Sequence, residues 1–278
     1  MFRTRRRSAF RCIVITGASS GLGAGLAQSY AAPGCILGLI GRDVARLNTI
    51  ADACRNRGAV VHTAILGLTE AAPIEAWLTD LDSHSPVDLV IACAGSSAGT
   101  RPDGQPEGGA AAAAMVQSNL LGTIHTIEPL LPRFVARGRG HFAVVASVAA
   151  YRGLPDSPGY CASKAGVRAY GEALRAALAP SGVRVSVITP GFFTSPMSER
   201  FLGPKPFLIP LEDAVRRIRS GLDRKRRRIG FPWQLRLLLQ AIDLLPAALG
   251  DRLIRWMPFR IAAQTSAAGF YQEIVSPR

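Results

Sequence analysis

An apolar run that ends in a glycine-rich turn constrains the fold of this chain more than any other stretch. Residues 11–16 read Arg-Cys-Ile-Val-Ile-Thr, the turn reads Gly17-Ala-Ser-Ser-Gly21-Leu-Gly23, and a helical pattern continues to about Tyr30. Glycines let the backbone approach a pyrophosphate closely, and the start of the following helix offers amide donors and the positive end of a dipole. The stretch therefore predicts a strand, a phosphate-binding turn and a helix. A turn needed only for tight packing is the alternative.

Further apolar runs alternate with helical patterns along the chain. The strand patterns cover 35–40, 59–66, 87–92, 141–146, 183–189 and 229–231. The helical patterns cover 44–57, 70–83, 110–134 and 158–178, and the third of these should break near Pro129 and Pro132. This alternation predicts a doubly wound α/β fold of the Rossmann type, with a mostly parallel sheet and helices on both faces. Ligands of such sheets bind beyond the carboxyl ends of the strands, so functional residues should follow the strands.

The two ends of the chain differ in composition from its middle. We expect one Rossmann-type catalytic domain over 11–231, a basic tail over 1–10 before it and a helical extension over 232–278 after it. The segment 192–210 is rich in Phe, Leu and Pro, and we expect it to form a lid over an apolar substrate. The extension mixes Leu, Ile and Trp with Arg, so it either lies in a membrane interface or packs against the pocket or a partner subunit.

Charge and cysteine content limit the partners that this chain can have. Lys and Arg number 33 against 19 Asp and Glu, and the net charge of +14 implies attraction to anions such as phosphorylated cofactors. No nucleic-acid-binding motif accompanies this charge, so we expect no nucleic-acid partner.

The five Cys lack metal-ligand spacing, which predicts reduced thiols in the cytoplasm and no metal site. No apolar run approaches the roughly 18 residues of a spanning helix.

Tyr160 and Lys164 carry the strongest chemical signal after the glycine turn. Four residues apart on a helix, their side chains point to the same side. A neighbouring ammonium favours the phenolate and lowers the phenol pKa from about 10, so Tyr160 becomes able to act as a general acid and base. Ser147, at the end of the fifth predicted strand, would hold a substrate oxygen against that phenol. By itself, a Tyr-x-x-x-Lys pair is an ordinary feature of a packed helix.

The residues that follow the second strand bear on the choice of dinucleotide. An acidic side chain there holds the adenosine ribose of NAD, whereas an Arg accommodates the 2′-phosphate of NADP. Here Gly41 is followed at once by Arg42, which favours NADP. We interpret Asp43 as the N-cap of the next helix. The alternative is that Arg42 is only a solvent-exposed charge.

Together these motifs resemble the short-chain dehydrogenase/reductase family over about 12–232. The shared residues, in the family's order, are Thr16-Gly17-x-x-x-Gly21-x-Gly23, Cys93-Ala94-Gly95, Asn119, Ser147, Tyr160-x-x-x-Lys164 and Pro190-Gly191. The resemblance implies that Tyr160 is the catalytic acid/base and that Ser147 positions the carbonyl or hydroxyl. It also implies that Lys164 holds the nicotinamide ribose and that Asn119 anchors a water of a proton relay.

The resemblance further implies a set of cofactor-binding residues. They are Gly17, Ser19, Ser20, Gly21, Leu22, Gly23, Arg42, Leu68, Ala94, Gly95, Tyr160, Lys164, Pro190, Gly191, Phe193 and Ser195. The implied cofactor is a nicotinamide dinucleotide, with NADP(H) preferred because of Arg42 and NAD(H) as the second candidate. Two positions depart from the family: Cys93 replaces an Asn at the end of the sheet, and Gly67 replaces an Asp near the adenine, where the Leu68 amide remains as a donor.

The resemblance predicts an NADP(H)-dependent oxidoreductase that transfers a hydride between the nicotinamide and the carbonyl or alcohol carbon of an apolar small molecule. The rival hypothesis is a catalytically silent NADP-binding protein that acts as an interaction or membrane-surface protein. Retention of Asn119, Ser147, Tyr160 and Lys164 favours the enzyme. The family also implies a homo-oligomer, either a dimer or a tetramer. We expect a cytoplasmic protein, and leave open a peripheral membrane contact through the basic C-terminal segment.

Overall fold

A seven-stranded sheet forms the centre of the computed structural model, which describes residues 10–101, 106–255 and Ala262. The strands are β1 (Cys12–Thr16), β2 (Ile36–Gly41), β3 (Val60–Ile65), β4 (Leu89–Ala92), β5 (His141–Val145), β6 (Arg184–Pro190) and β7 (Arg228–Phe231). Neighbouring strands pair in parallel throughout, in the order β3-β2-β1-β4-β5-β6-β7. The predicted doubly wound α/β fold is confirmed, and all of the described strands are parallel.

Helices cover both faces of this sheet. They are α1 (Gly21–Tyr30), α2 (Val44–Arg55), α3 (Ala71–His84), α4 (Gly109–Met115), α5 (Gly122–Ile127), α6 (Leu131–Ala136), α7 (Pro158–Ala177), α8 (Pro196–Glu199), α9 (Leu211–Asp223), α10 (Trp233–Asp243) and α11 (Ala247–Arg255). The helical pattern over 110–134, with its expected break near Pro129 and Pro132, is divided in two places in the structure. A π-helical turn, Val116–Leu121, joins α4 to α5, and a 3₁₀ turn that includes Pro129 separates α5 from α6.

Except at the edge strand β3, where Val60, His62 and Ile65 are exposed, the sheet is largely buried on both faces, which explains why most strands read as continuous apolar runs. Side chains alternate across a strand, so successive residues of β1 enter different layers. Ile13 and Ile15 pack into one apolar layer, and Cys12 and Val14 pack into the other. The apolar runs in the sequence therefore predicted the central strands correctly, because side chains on both faces of these strands are buried in apolar layers.

The carboxyl ends of β1 and β4 lie side by side, where the strand order reverses and a crevice forms. Gly17 has a φ of +67°, and a Cβ there would lie 2.8 Å from the Cα of Ala94. A Cβ at Gly23 would lie 2.3 Å from the carbonyl oxygen of Gly17. Only glycine at these two positions lets the turn, α1 and the segment after β4 approach so closely.

Thr16 joins the same two strand ends. Its hydroxyl accepts hydrogen bonds from the amides of Cys93, at 3.1 Å, and Ala94, at 3.2 Å. This contact holds the end of the sheet at the position where the related family uses an Asn side chain. The replacement by Cys93 therefore leaves the junction of β1 and β4 hydrogen-bonded.

The helical extension packs back onto the domain as far as it is described. Leu235, Leu239 and Ile242 on α10 form an apolar cluster with Val148, which follows β5. Arg152 forms ion pairs with Asp243, at 3.2 Å, and Asp251, at 2.5 Å. These contacts agree with the alternative in which the extension packs against the pocket.

Several sequence predictions fall outside the described residues, namely most of the basic tail (1–9), part of the loop after β4 (102–105) and most of the extension after Arg255. Within the described part of the chain, no helix combines the length and the apolar character that crossing a bilayer requires. The same part contains no cluster of His, Cys, Asp and Glu suited to a metal ion. All five cysteines are free thiols.

Candidate active site

A cavity of about 700 Å³ opens at the carboxyl ends of the strands. Every residue predicted to bind the cofactor lies in its wall, together with Ser147. Asn119 is the one predicted site residue that does not line the cavity; it lies behind the wall. The fold thus brings together side chains that are far apart in the sequence, because each follows a strand of the same parallel sheet.

The start of α1 forms one end of the cavity. The N-cap residue Ser20 has an extended backbone, and its side chain makes no capping hydrogen bond. No acidic residue occupies the first turn of α1, so no side-chain carboxylate neutralises the positive end of the helix dipole there. At Gly21, the first residue of α1, a Cβ would meet no atom within 4 Å, so the start of the helix is open. This arrangement suits a pyrophosphate.

Arg42 follows β2 at the same end of the cavity. It is exposed, and among the described residues its guanidinium makes no hydrogen bond or ion pair. Asp43 caps α2 as predicted, because its carboxylate accepts from the amide of Arg46 at 2.8 Å and from Nε of Arg46 at 2.7 Å. These hydrogen bonds from Arg46 hold the pKa of Asp43 below its usual range. The carboxylate is thus engaged with α2.

Arg46 also lines the cavity, and sequence reasoning missed it. It lies in the first turn of α2, and Arg42 directly precedes the N-cap residue Asp43. Two arginine side chains therefore line the cavity near the start of α2. The sequence contains both residues, but it does not show that the first turn of α2 borders the cavity.

The Leu68 segment forms the adjacent wall. Nδ1 of His125 lies 2.9 Å from the Leu68 carbonyl, and a Cβ at Gly122 would approach the Leu68 side chain to 2.8 Å. The segment is therefore fixed against α5 on one side. Gly67 and Thr69 line the cavity beside Leu68. Gly67 stands where the family that the sequence resembles has an Asp, so no acidic side chain projects from that position.

Ser147, Tyr160 and Lys164 converge at the other end of the cavity. Ser147 follows β5, and Tyr160 and Lys164 lie one turn apart on α7. The Ser147 hydroxyl lies within hydrogen-bonding reach of the phenol of Tyr160. Nζ of Lys164 donates to the carbonyl of Val145 at 2.9 Å, and the residue is only 4% exposed.

Burial is the largest influence on the pKa values of Tyr160 and Lys164. It raises the pKa of Tyr160 to about 12, because the phenolate is desolvated, and the hydrogen bond with Ser147 lowers it only in part. Burial lowers the pKa of Lys164 to about 8. The sequence predicted that Lys164 would lower the pKa of Tyr160, and that prediction differs from the structure, because desolvation of the phenolate outweighs any such effect.

Gly95 makes room for the ammonium of Lys164. A Cβ at Gly95 would lie 2.9 Å from Nζ of Lys164. Cys93 is close enough for the positive charge of Lys164 to lower its thiol pKa, although burial raises that pKa to about 12 overall. Cys93 is therefore a neutral wall residue.

Asn119 lies in the π-helical turn and is fully buried. Its Nδ2 donates to the carbonyl of Ser96 and to Oγ of Ser163, both at 3.0 Å, and its Oδ1 accepts from the amide of Ser96 at 2.8 Å. Its carbonyl oxygen accepts from the Thr123 hydroxyl at 2.7 Å. The side chain thus joins the loop after β4 to α7, and the proton relay stays a prediction.

The segment after β6 closes the cavity on the side of α7. Phe193 pairs with Ile209 in a parallel bridge. The hydrogen bonds of this bridge use the amide of Thr194 and the carbonyl of Phe192, so the Phe193 amide points to the opposite side. Ser195 caps α8 by accepting from the amide of Ser198 at 3.1 Å, a role that the sequence did not reveal.

The segment predicted as a lid (192–210) contributes only some of its apolar side chains to the cavity. Phe192, Met197 and Phe201 line it, whereas Leu202 and Phe207 are exposed. Leu235 and Leu239 of α10 complete the apolar wall, and the sequence had placed them there only as one alternative. Local periodicity shows that α10 has an apolar face but does not show which surface covers it.

Comparisons with known proteins agree with this site. The model of the short chain dehydrogenase family matches residues 11–203. An uncharacterized oxidoreductase from Myxococcus xanthus is 35% identical over 247 residues, which cover 88% of this chain and 97% of that protein. An uncharacterized oxidoreductase from Mycobacterium tuberculosis is 34% identical over 225 residues, which cover 80% of this chain and 88% of that protein.

Solved structures show the same fold. A short-chain dehydrogenase from Sphingobium yanoikuyae in complex with NADPH has a TM-score of 0.72 and 25% identity, over 92% of this chain and 99% of that chain. An alcohol dehydrogenase from Thermococcus sibiricus complexed with 5-hydroxy-NADP has a TM-score of 0.67 and 25% identity, over 80% of this chain and 94% of that chain. Because the family model matches most of the sequence and the fold agrees, this chain belongs to the short-chain dehydrogenase/reductase family and is an NAD(P)-dependent oxidoreductase.

Proposed function

We propose that this enzyme is an NADP(H)-dependent carbonyl reductase or alcohol dehydrogenase in which Tyr160 is the general acid and base. One observation carries the proposal: Tyr160, Ser147 and Lys164 line the same cavity as the glycine turn. A catalytically silent NADP-binding protein would not need these three side chains in one cavity. Their convergence therefore favours the enzyme over that alternative.

The residues present fit a nicotinamide dinucleotide. Its phosphates are suited by the open space at Gly21 and by the start of α1, which has no side-chain cap. The Arg42 guanidinium, which has no partner among the described residues, suits the 2′-phosphate. When bound, the cofactor donates or accepts the hydride. Lys164 and the segment from Pro190 to Phe193 would hold its nicotinamide half, because both line the opposite end of the cavity.

Tyr160 and Ser147 would act together on one oxygen of the substrate. In the reductive direction, Tyr160 donates its proton to the developing alkoxide, and Ser147 donates a second hydrogen bond to the same atom. The raised pKa keeps Tyr160 protonated at neutral pH, which suits the role of acid. For the oxidative direction, nearby positive charge must favour the phenolate, and Lys164 is one turn away on the same helix.

The substrate end of the cavity favours an apolar carbonyl compound. Phe192, Met197 and Phe201 form one wall, and Leu235 and Leu239 form another. Such walls bind through the removal of apolar surface from water, at roughly 25 cal/mol per Å².

Two partner proposals accompany this function. A peripheral membrane contact is supported by three exposed apolar residues: Trp233 on α10, Leu244 at its C-terminal end and Leu249 on α11. The basic residues Arg252 and Arg255 on α11 support the same contact. A homo-oligomer is supported by membership of the family.

Replacing Lys164 should stabilise the protein. Burial lowers its pKa from 10.5 to about 8, and a tenfold loss of proton affinity corresponds to about 1.4 kcal/mol. We expect Lys164→Met to raise the free energy of unfolding by about 1–2 kcal/mol near neutral pH. This gain is smaller than the full cost of burying the charge, because the substitution also removes the hydrogen bond to the Val145 carbonyl. Urea denaturation measures this change.

The pH dependence of the stability difference between Lys164→Met and wild type tests whether the buried charge of Lys164 is the cause. The folded-state pKa of Lys164 lies below the unfolded-state value, so its penalty is complete below about pH 8 and fades as the pH rises toward 10.5. The stability difference between variant and wild type should shrink over that range. Lys225→Met, at an exposed lysine, is the control and should change stability little. A Lys164→Met protein less stable than wild type at every pH would contradict this account.

Tyr160→Phe should greatly lower the turnover rate while leaving cofactor binding nearly intact. General acid/base catalysis contributes about two to four decades in rate, so we expect a loss of that size with a panel of ketones. Absorbance of the reduced nicotinamide measures turnover, and fluorescence titration measures NADPH affinity. Tyr170→Phe, which removes a surface hydroxyl bonded to Glu128, is the control. Turnover by Tyr160→Phe equal to that of wild type would remove Tyr160 from the mechanism.

Arg42→Ala should weaken NADPH binding selectively. Hydrogen bonds to charged groups contribute about 1.5–3 kcal/mol, so we expect the NADPH dissociation constant to rise roughly 10- to 100-fold while that of NADH changes little. Arg46→Ala should act in the same direction but more weakly, because Asp43 holds its Nε. Arg55→Ala, at the exposed far end of α2, is the control. Equal wild-type affinities for NADPH and NADH would contradict the assignment of Arg42.

A further inference from the structure

Two serine hydroxyls in the cavity wall have no hydrogen-bond partner among the described residues. Ser97 and Ser157 both line the cavity, and they are 2% and 3% exposed. Oγ of each is buried and makes no hydrogen bond. A buried hydroxyl without a partner is unfavourable, and most such groups in proteins are satisfied. Two of them in the wall of one cavity therefore need an explanation.

Ser157 is the N-cap of α7 but does not cap it. An N-cap serine normally accepts from an amide in the first turn of its helix. In this protein Oε1 of Glu107 accepts from the amide of Gly159 at 2.8 Å and from the amide of Tyr160 at 3.1 Å. The carboxylate of Glu107 thus replaces the serine as the cap. The Ser157 hydroxyl is left unused, three residues before Tyr160.

Ser97 has a fixed backbone and an unused hydroxyl. Nη2 of Arg200 donates to the Ser97 carbonyl at 2.6 Å, and the amide of the next residue, Ala98, lies 3.4 Å from Sδ of Met115. Ala98 and Tyr160 pack against the same apolar cluster around Met115. Ser97 and Ser157 therefore belong to the two segments that flank Tyr160 in the cavity wall.

We propose that Ser97 and Ser157 form a polar subsite for a second oxygen function of the substrate, distinct from the reacting oxygen. This inference rests on the proposed function. Among the described residues neither hydroxyl has a hydrogen-bond partner, so rotating either one into the cavity breaks no hydrogen bond. A serine hydroxyl can both donate and accept a hydrogen bond. The walls formed by Phe192, Met197 and Phe201 and by Leu235 and Leu239 are apolar. The substrate class is therefore an apolar carbonyl compound or alcohol that also carries a hydroxyl, carbonyl or ester oxygen.

Calorimetric binding to the NADP⁺-loaded protein tests the subsite without turnover. The probes are a ten-carbon methyl ketone and a series of matching hydroxy ketones, each with its single hydroxyl on a different carbon. We expect at least one hydroxy ketone to bind wild type about tenfold more tightly than the parent ketone. The double variant Ser97→Ala, Ser157→Ala should lose this advantage and bind the parent within about twofold of wild type.

Two controls separate the subsite from a structural role. Ser157→Ala should keep wild-type stability in urea, because Glu107 provides the cap of α7. Ser181→Ala, whose hydroxyl donates to the Leu178 carbonyl on the surface, should keep the preference for the hydroxy ketone. The inference is overturned if no hydroxy ketone binds wild type more tightly than the parent, or if the advantage survives in the double variant.

Turnover of the same ketones with NADPH is measured in parallel. Serine-dependent binding without reduction of any ketone would contradict the proposed function and leave the subsite standing. Reduction without a serine-dependent preference would overturn the subsite and leave the proposed function standing.

Discussion

The hydrogen bond from Nζ of Lys164 to the carbonyl of Val145 joins α7 to the end of β5 in the cavity wall. Val145 is the last residue of β5, and Ser147 follows two residues later. Tyr160 lies one turn before Lys164, so this contact joins the two segments that carry the phenol and the serine hydroxyl. The missing side chain at Gly95 is what allows the ammonium to occupy that position. A buried cation therefore lies between the elements that carry Tyr160 and Ser147.

That cation is unfavourable for folding, and other contacts stabilise the same region. Thr16 joins the ends of β1 and β4, and Glu107 caps the helix that carries Tyr160. Asn119 joins the loop after β4 to α7 through its side-chain amide. These contacts hold the walls of the cavity in place while its interior keeps a desolvated ammonium and a protonated phenol. Such a conflict between local stability and chemistry is common at active sites.

The sequence predicted the strands, the glycine turn and a set of cofactor-binding residues that all line the cavity, because a parallel sheet buries both faces and places ligands at its carboxyl edge. It could not predict features that depend on contacts between distant segments. The cap provided by Glu107 is one of these, since Ser157 is the expected cap by local rules. The sign of the pKa change at Tyr160 is another, because it depends on depth of burial and not on the spacing to Lys164. The position of Leu235 in the wall depends on which surface α10 covers.

A crystal structure of the protein with NADP⁺ tests the central claim most directly. We expect the nicotinamide ring beside Pro190 and Gly191, its ribose hydroxyls within hydrogen-bond distance of Tyr160 and Lys164, and the 2′-phosphate at Arg42. A nucleotide bound elsewhere, or a Tyr160 phenol turned away from the nicotinamide ring, would contradict this account.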